Sequence, residues 1–186
     1  MEQLHLVTIA GLKRSGKTTV VEAIVSELHL RGYRVGTVKT MRQHADPLNA
    51  PDTDTHRHGE AGASVVVAIH ADGTSRFERC PPPSSVRELS GLFPRDIDVL
   101  VSEGVIDPSD PHMVVLCLKE PSALEETLAT RRLSARLVLA VSGPAAASWD
   151  PALLPGTPSF DVTNAAQKKA LVDMLLGKIR EADKPQ

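Results

Sequence analysis

Residues 11–18 read Gly-Leu-Lys-Arg-Ser-Gly-Lys-Thr. The two glycines, the lysine and the hydroxyl residue fall at the spacing G-x-x-x-x-G-K-[ST], which suits phosphate binding. Gly11 and Gly16 let the backbone turn tightly and approach an anion closely. Successive N–H groups then point into one concavity, at the positive end of a helix dipole. Lys17 would reach the β- and γ-phosphates, and the Thr18 hydroxyl would bind Mg2+. Lys13 and Arg14 either add charge near the phosphates or stand in solvent.

A phosphate site of this kind needs a carboxylate on the metal side. Residues 97–104, Ile-Asp-Val-Leu-Val-Ser-Glu-Gly, offer Asp98 and Glu103. In a parallel sheet the phosphate loop lies at the carboxyl ends of the strands. Asp98 starts its strand, roughly 17 Å from that edge at ~3.3 Å per residue. Glu103 ends it, so Glu103 is the metal-side candidate and Asp98 a solvated strand-start residue. A third polar group runs Asp52-Thr53-Asp54-Thr55-His56-Arg57-His58, then Ala61-Gly62-Ala63. A loop that senses a γ-phosphate needs a carboxylate or hydroxyl near the metal and often an arginine. Asp54, Thr55 and Arg57 supply those types, although composition alone favours a solvated loop. His44, His56, His58 and His70, with Asp46, Asp52 and Asp54, contain no ligand spacing that fixes a zinc geometry.

Several elements must position these groups. Leu4–Ala10 is an apolar, β-prone run before the loop. Val21, Ile24, Val25 and Leu28 recur at helical spacing after it, and Gly32 stops that helix. Further strands are expected at 34–39, 63–69, 97–101, 113–118, 137–141 and 159–162. Asp72-Gly73 is a hairpin signal, with 75–80 as the returning strand. Short helices are expected near 85–92 and 122–130. Residues 40–60 lack apolar periodicity and read as a long, switch-like loop. Asn164 with Gln167 reads as a capping box that opens a C-terminal helix over about 164–182. The alternation predicts an α/β fold, a mostly parallel sheet with helices on both faces, as a single domain over 1–186.

The chain has 186 residues and a net charge of −2, which gives no reason to expect a nucleic-acid surface. No apolar stretch approaches the ~20 residues of a membrane span, and Met1-Glu2-Gln3 does not open a signal peptide. Cys80 and Cys117 read as two reduced thiols of a cytoplasmic protein.

The string Gly11–Thr19 resembles the G-x-K-x-S-G-K-T-T of the molybdopterin-guanine dinucleotide biosynthesis protein B family, MobB. Arg31–Lys39 is similar to that family's R-G-Y-x-V-G-x-I-K strand. Asp54–Arg57 with Ala61–Ala63, and Glu103-Gly104 with Pro111 and Val114-Val115, resemble two further segments, and Phe160–Val162 its late strand. The resemblance covers roughly residues 4–165 and implies a P-loop NTPase fold that binds GTP with Mg2+. It implies weak GTP hydrolysis, homodimers, and an accessory role beside the MobA guanylyltransferase that joins GMP to molybdopterin. On that resemblance Ser15 and Thr19 join the nucleotide-contacting loop. Thr18, Asp54 and Glu103 surround Mg2+, with Lys17 and Arg57 completing the catalytic set.

The chain also departs from the family. Lys39 is followed by Thr40 rather than the family's His, the family's later His-His pair is reduced to His44, and Glu103-Gly104 is followed by Val105 rather than an aromatic residue. The family's V-S-D is Val141-Ser142-Gly143 here. A carboxylate at position 143 would accept from guanine N1 and N2, so its loss leaves backbone groups near Ser142 and Gly143, or Asn164, to meet the base. Two other functions remain open on the residues. One is a small-molecule kinase, with Arg131, Arg132 and Arg136 on a lid. The other is an interaction module without turnover.

Overall fold

The computed structural model describes residues 4–40, 53–78, 80–83, 85–104 and 113–184. The chain forms two compact units, Met1–Thr40 with Pro83–Gln186, and Met41–Pro82.

The first unit is built on five parallel strands. They are β1 (His5–Gly11), β2 (Val35–Lys39), β5 (Val99–Glu103), β6 (Met113–Cys117) and β7 (Val138–Ser142), in the order β2-β5-β1-β6-β7. The apolar runs of β1, β5 and β6 are buried on both faces, as a covered parallel sheet requires. Their alternating side chains separate into two cores. Val7, Ile9, Val99, Val101, Val115 and Cys117 face α1 (Lys17–Leu30) and α5 (Ala165–Ala182). Ala10, Val114 and Leu116 face α4 (Leu124–Arg131), and Leu6 and Leu100 face α3 (Val86–Ser90). Helices therefore cover both faces.

In α1 the fully buried stripe is Val20, Ile24 and Leu28: Ile24 and Leu28 as expected, with Val20 added, while Val21 and Val25 are only partly buried at its flank. The helix ends where expected. Gly32 N–H donates to His29 O at 2.9 Å and Tyr33 N–H to Leu28 O at 3.1 Å, the paired bonds of a Schellman motif. At the start of α5, Asn164 Oδ1 accepts from Ala166 and Gln167 N–H, but Gln167 Oε1 accepts from Asp161 N–H instead of closing a capping box. The strand expected at 159–162 is reduced to a single parallel bridge, Val141 to Ser159. Past it, Asp161 Oδ1 accepts from both the N–H and the hydroxyl of Thr163, which turns the chain toward α5.

The second unit contains α2 (Asp54–Glu60) and an antiparallel hairpin of β3 (Val65–His70) and β4 (Gly73–Glu78). The loop expected over 40–60 is therefore helical over its last part, while 41–52 lie outside the described residues. The reason is local. Thr53 Oγ1 accepts from His56 N–H at 3.2 Å, Asp54 occupies the positive first turn, and Arg57 and His58 lie in the negative last turn. These end effects form a short helix without any apolar stripe, the feature on which the loop expectation rested.

Candidate functional site

β1 delivers the phosphate loop. Its last residue, Gly11, is in register with Cys117 of β6. A Cβ at Gly11 would lie 2.4 Å from Cys117 O and 2.4 Å from Ser15 Oγ, so no side chain fits there. Ser15 is buried and donates its hydroxyl to Leu12 O at 2.9 Å. Lys17 Nζ donates to the same carbonyl at 2.6 Å. Arg14 has a φ of +62°, a left-handed conformation that costs a non-glycine residue energy. Lys13, Arg14, Thr18 and Thr19 are exposed. No side chain caps the start of α1, so its first-turn N–H groups are left for an anion.

The carboxylate stands beside this loop. Glu103 ends β5, in register with Ile9 on one side and Lys39 on the other. Its Oε2 accepts the Thr18 hydroxyl at 3.0 Å and lies 3.3 Å from Lys39 Nζ. The Glu103 carbonyl accepts the Thr40 N–H at 3.2 Å, which pins the ends of β2 and β5 together. Asp98 lies at the opposite end of β5. It is exposed, as expected, but also bonded, since its Oδ2 accepts Arg34 N–H at 2.6 Å and clips the starts of β2 and β5. A hydroxyl and a carboxylate at this spacing are hard oxygen donors of the kind Mg2+ takes.

Three cations approach the loop. Partial burial pushes the Lys17 pKa down; Arg131 and Lys39 push the same way, and Glu103 and Cys117 oppose them. Arg131, at the end of α4, donates Nε–H to Gly11 O at 2.9 Å; it braces the phosphate loop, where the kinase reading would place it on a lid. Beneath the loop, burial pushes the Cys117 thiol up to about 12, which keeps it neutral and unreactive. Cys80 and Cys117 are both free thiols.

The turn after β7 backs the loop. Gly143 has a φ of +80°, and a Cβ there would lie 2.4 Å from Ser15 O and 2.9 Å from Leu118 O. A carboxylate-bearing residue therefore does not fit at this position. Ser142 Oγ donates to Phe160 O at 2.7 Å, and Asn164 Oδ1 is taken up by the cap of α5. Of the groups considered for base contact, Asn164 thus has its side-chain oxygen engaged elsewhere.

The remaining sequence candidates lie in the second unit. Asp54 and Arg57 meet each other on α2, at 3.8 Å, and both are strongly exposed. His56, His58 and His70 also lie in this unit, whereas His44, Asp46 and Asp52 lie outside the described residues. Among the described residues no group of three or more His, Cys, Asp or Glu could hold a metal ion, and no helix is long and apolar enough to cross a membrane.

The family model described as molybdopterin guanine dinucleotide synthesis protein B matches residues 6–139. The chain belongs to the MobB family. It is 32% identical over 114 residues to a molybdopterin-guanine dinucleotide biosynthesis adapter protein of Haemophilus influenzae, a match covering 61% of this chain and 64% of that one. A probable adapter protein of Bacillus subtilis is 28% identical over 116 residues, covering 62% and 66%. These matches thus span slightly less than two thirds of either relative. The crystal structure of Bacillus subtilis MobB superposes with a TM-score of 0.69 over 92% of this chain and 98% of that one, at 22% identity. That likeness is one of fold, the P-loop NTPase fold with its mostly parallel sheet.

For this MobB chain, the sequence reading did not assign Lys39 or Arg131 to the phosphate site. Lys39 carried a signal, since it closes the R-G-Y string at the carboxyl end of a strand. Arg131 carried none, because only the packing of α4 brings it to Gly11.

Proposed function

We propose that this protein is a Mg2+-dependent GTP-binding accessory protein of molybdopterin guanine dinucleotide synthesis, with slow GTP hydrolysis. It would act as a homodimer beside a MobA-like guanylyltransferase and its molybdopterin substrate. The observation that carries the reading is the Thr18–Glu103 contact at 3.0 Å beside Lys17. It unites a phosphate loop with a metal-side carboxylate from a different strand. Thr18 and Glu103 would hold Mg2+. The ion would neutralise charge on the terminal phosphates. Family membership and two adapter-protein relatives support the pathway.

Calorimetric titration with GTP, ATP and CTP, each with and without Mg2+, tests this. Binding should need Mg2+. GTP should lead ATP by only about tenfold, or ~1.4 kcal/mol, because no side-chain carboxylate fits at Gly143. Glu103→Gln should remove most of the Mg2+ dependence, and Asp98→Asn should leave it intact. An Asp98→Asn variant that is the more damaged in a Mg2+ titration would defeat the assignment. A clear preference for ATP would turn the reading toward a kinase.

A further inference from the structure

Two cations rest on consecutive carbonyls of the phosphate loop. Lys17 Nζ donates to Leu12 O at 2.6 Å, and Arg131 Nε donates to Gly11 O at 2.9 Å. Lys17 belongs to the loop, but Arg131 arrives from the last turn of α4, 120 residues away in sequence. Like charges this close repel, and partial burial of both side chains strengthens the repulsion. Glu103, the neighbouring carboxylate, already accepts from Thr18 and pairs with Lys39. The site therefore holds more positive charge than its own acid balances.

The arginine's geometry is also specific. A guanidinium is a rigid fork of five donors, and an anchored Nε fixes the plane in which the other two nitrogens lie. Nη1 and Nη2 make no hydrogen bond or ion pair to any described residue. By contrast Lys13 and Arg14, the loop's own remaining cations, are exposed.

We propose that Arg131 is a phosphate-contacting residue of this site: anchored through Nε to Gly11 O, it presents Nη1 and Nη2 to the terminal phosphate of a bound nucleoside triphosphate. This rests on the reading of the loop as a triphosphate site and adds to it a cation supplied in cis from outside the loop motif. Such a residue favours triphosphate over diphosphate, because the terminal phosphate brings the additional charge that the guanidinium meets. A brace that merely shapes the loop would support both nucleotides alike.

The test uses the full chain and titrates GTP and GDP, with Mg2+, into wild type, Arg131→Ala, Arg131→Lys and Arg131→Gln. Lys17→Ala serves as the reference for a disabled phosphate loop. Arg131→Ala should lose about tenfold or more in GTP affinity and much less in GDP affinity. Arg131→Lys should recover part of the GTP affinity. Arg131→Gln, which keeps an N–H for Gly11 O without the charge, should behave like the alanine variant and covers the case in which Arg131→Ala does not fold. Wild-type GTP affinity in Arg131→Gln, or equal losses for GTP and GDP, would overturn the proposal and leave Arg131 a brace. If Lys17→Ala abolishes binding and the Arg131 variants bind as wild type, the Arg131 assignment alone fails. If the wild-type chain binds neither nucleotide, the triphosphate reading fails and this proposal with it.

Discussion

Ile24 and Ile69 are the same side chain in two different settings. Ile24 lies on α1 with no exposed surface, packed between the helix and the parallel sheet, whereas Ile69 lies on the hairpin at 82% exposure. The contrast extends to their units. In the first unit the strands are buried on both faces and the phosphate loop is pinned by Ser15, Lys17 and Arg131. In the second unit α2 buries no residue, and Val65, Val67 and Ile69 line one exposed face of β3. Polar side chains therefore act under different constraints in the two units. Lys17 and Glu103 are held by a buried scaffold, while Asp54 and Arg57 are exposed and pair with each other on one turn of helix. A preorganised site needs the first condition, and a segment that responds to a ligand can use the second.

The widest test of this contrast is stability. Ile24→Ala should cost about 2–5 kcal/mol, the range for a large buried aliphatic truncated in a packed core. Ile69→Ala should stay within about 0.5 kcal/mol, as exposed substitutions do. Urea unfolding of both variants measures the difference, and comparable losses would abolish the distinction between the units.

Function offers the next test. Lys17→Ala should lose about 2 kcal/mol or more of GTP affinity, because a charged hydrogen-bond partner is removed. Its unfolding midpoint should stay close to wild type, since the ammonium is not part of the apolar core. A folded variant with unchanged GTP affinity would mean that the loop does not hold the terminal phosphates.

A smaller effect is expected at the turn behind the loop. Gly143→Asp installs the acid that the MobB family often carries, but at a φ of +80° and with its Cβ against Ser15 O. Strain of about 1–3 kcal/mol should appear as lost stability. Binding of GTP and ATP should fall together, because the displaced group is the loop backbone. A selective gain for GTP in this variant would show that the turn moves aside and that the family's base contact can be restored.

The smallest effect concerns α2. The amides of Asp54–Glu60 should exchange rapidly in the free protein, since no burial protects them. A non-hydrolysable GTP analogue with Mg2+ should slow that exchange more than GDP does. Equal protection in the two states would make α2 a passive surface segment and remove the reason to read it as a switch.

Legibility in the sequence followed the range of the interactions. The strands and helices around the loop were readable because burial on both faces leaves unbroken apolar runs, and because Schellman and cap residues act within a few positions. The helix α2 was hidden, since Thr53 and Asp54 stabilise it through end effects that leave no periodic stripe. The strand at 159–162 was overestimated. Its composition suits a strand, but Asp161 turns the chain through Thr163 after one bridge to Val141. Asp98 looked solvated because nothing local marks it as the acceptor for Arg34, 64 residues earlier.

By itself, then, the sequence determined the phosphate loop, the strand before it, the helix after it, and the placement of Asp98 and Glu103 at opposite ends of one strand. Each depends on residue type at short spacing or on strand polarity, both written along the chain. Tertiary structure decided the rest. The order β2-β5-β1-β6-β7 sets Glu103 between Ile9 and Lys39 and so beside Thr18. The packing of α4 carries Arg131 to Gly11, and the turn after β7 closes on Ser15 so tightly that residue 143 must lack a side chain. These contacts join residues that the chain separates by tens of positions. Their geometry exists only once the two cores have formed and fixed each strand against its neighbours.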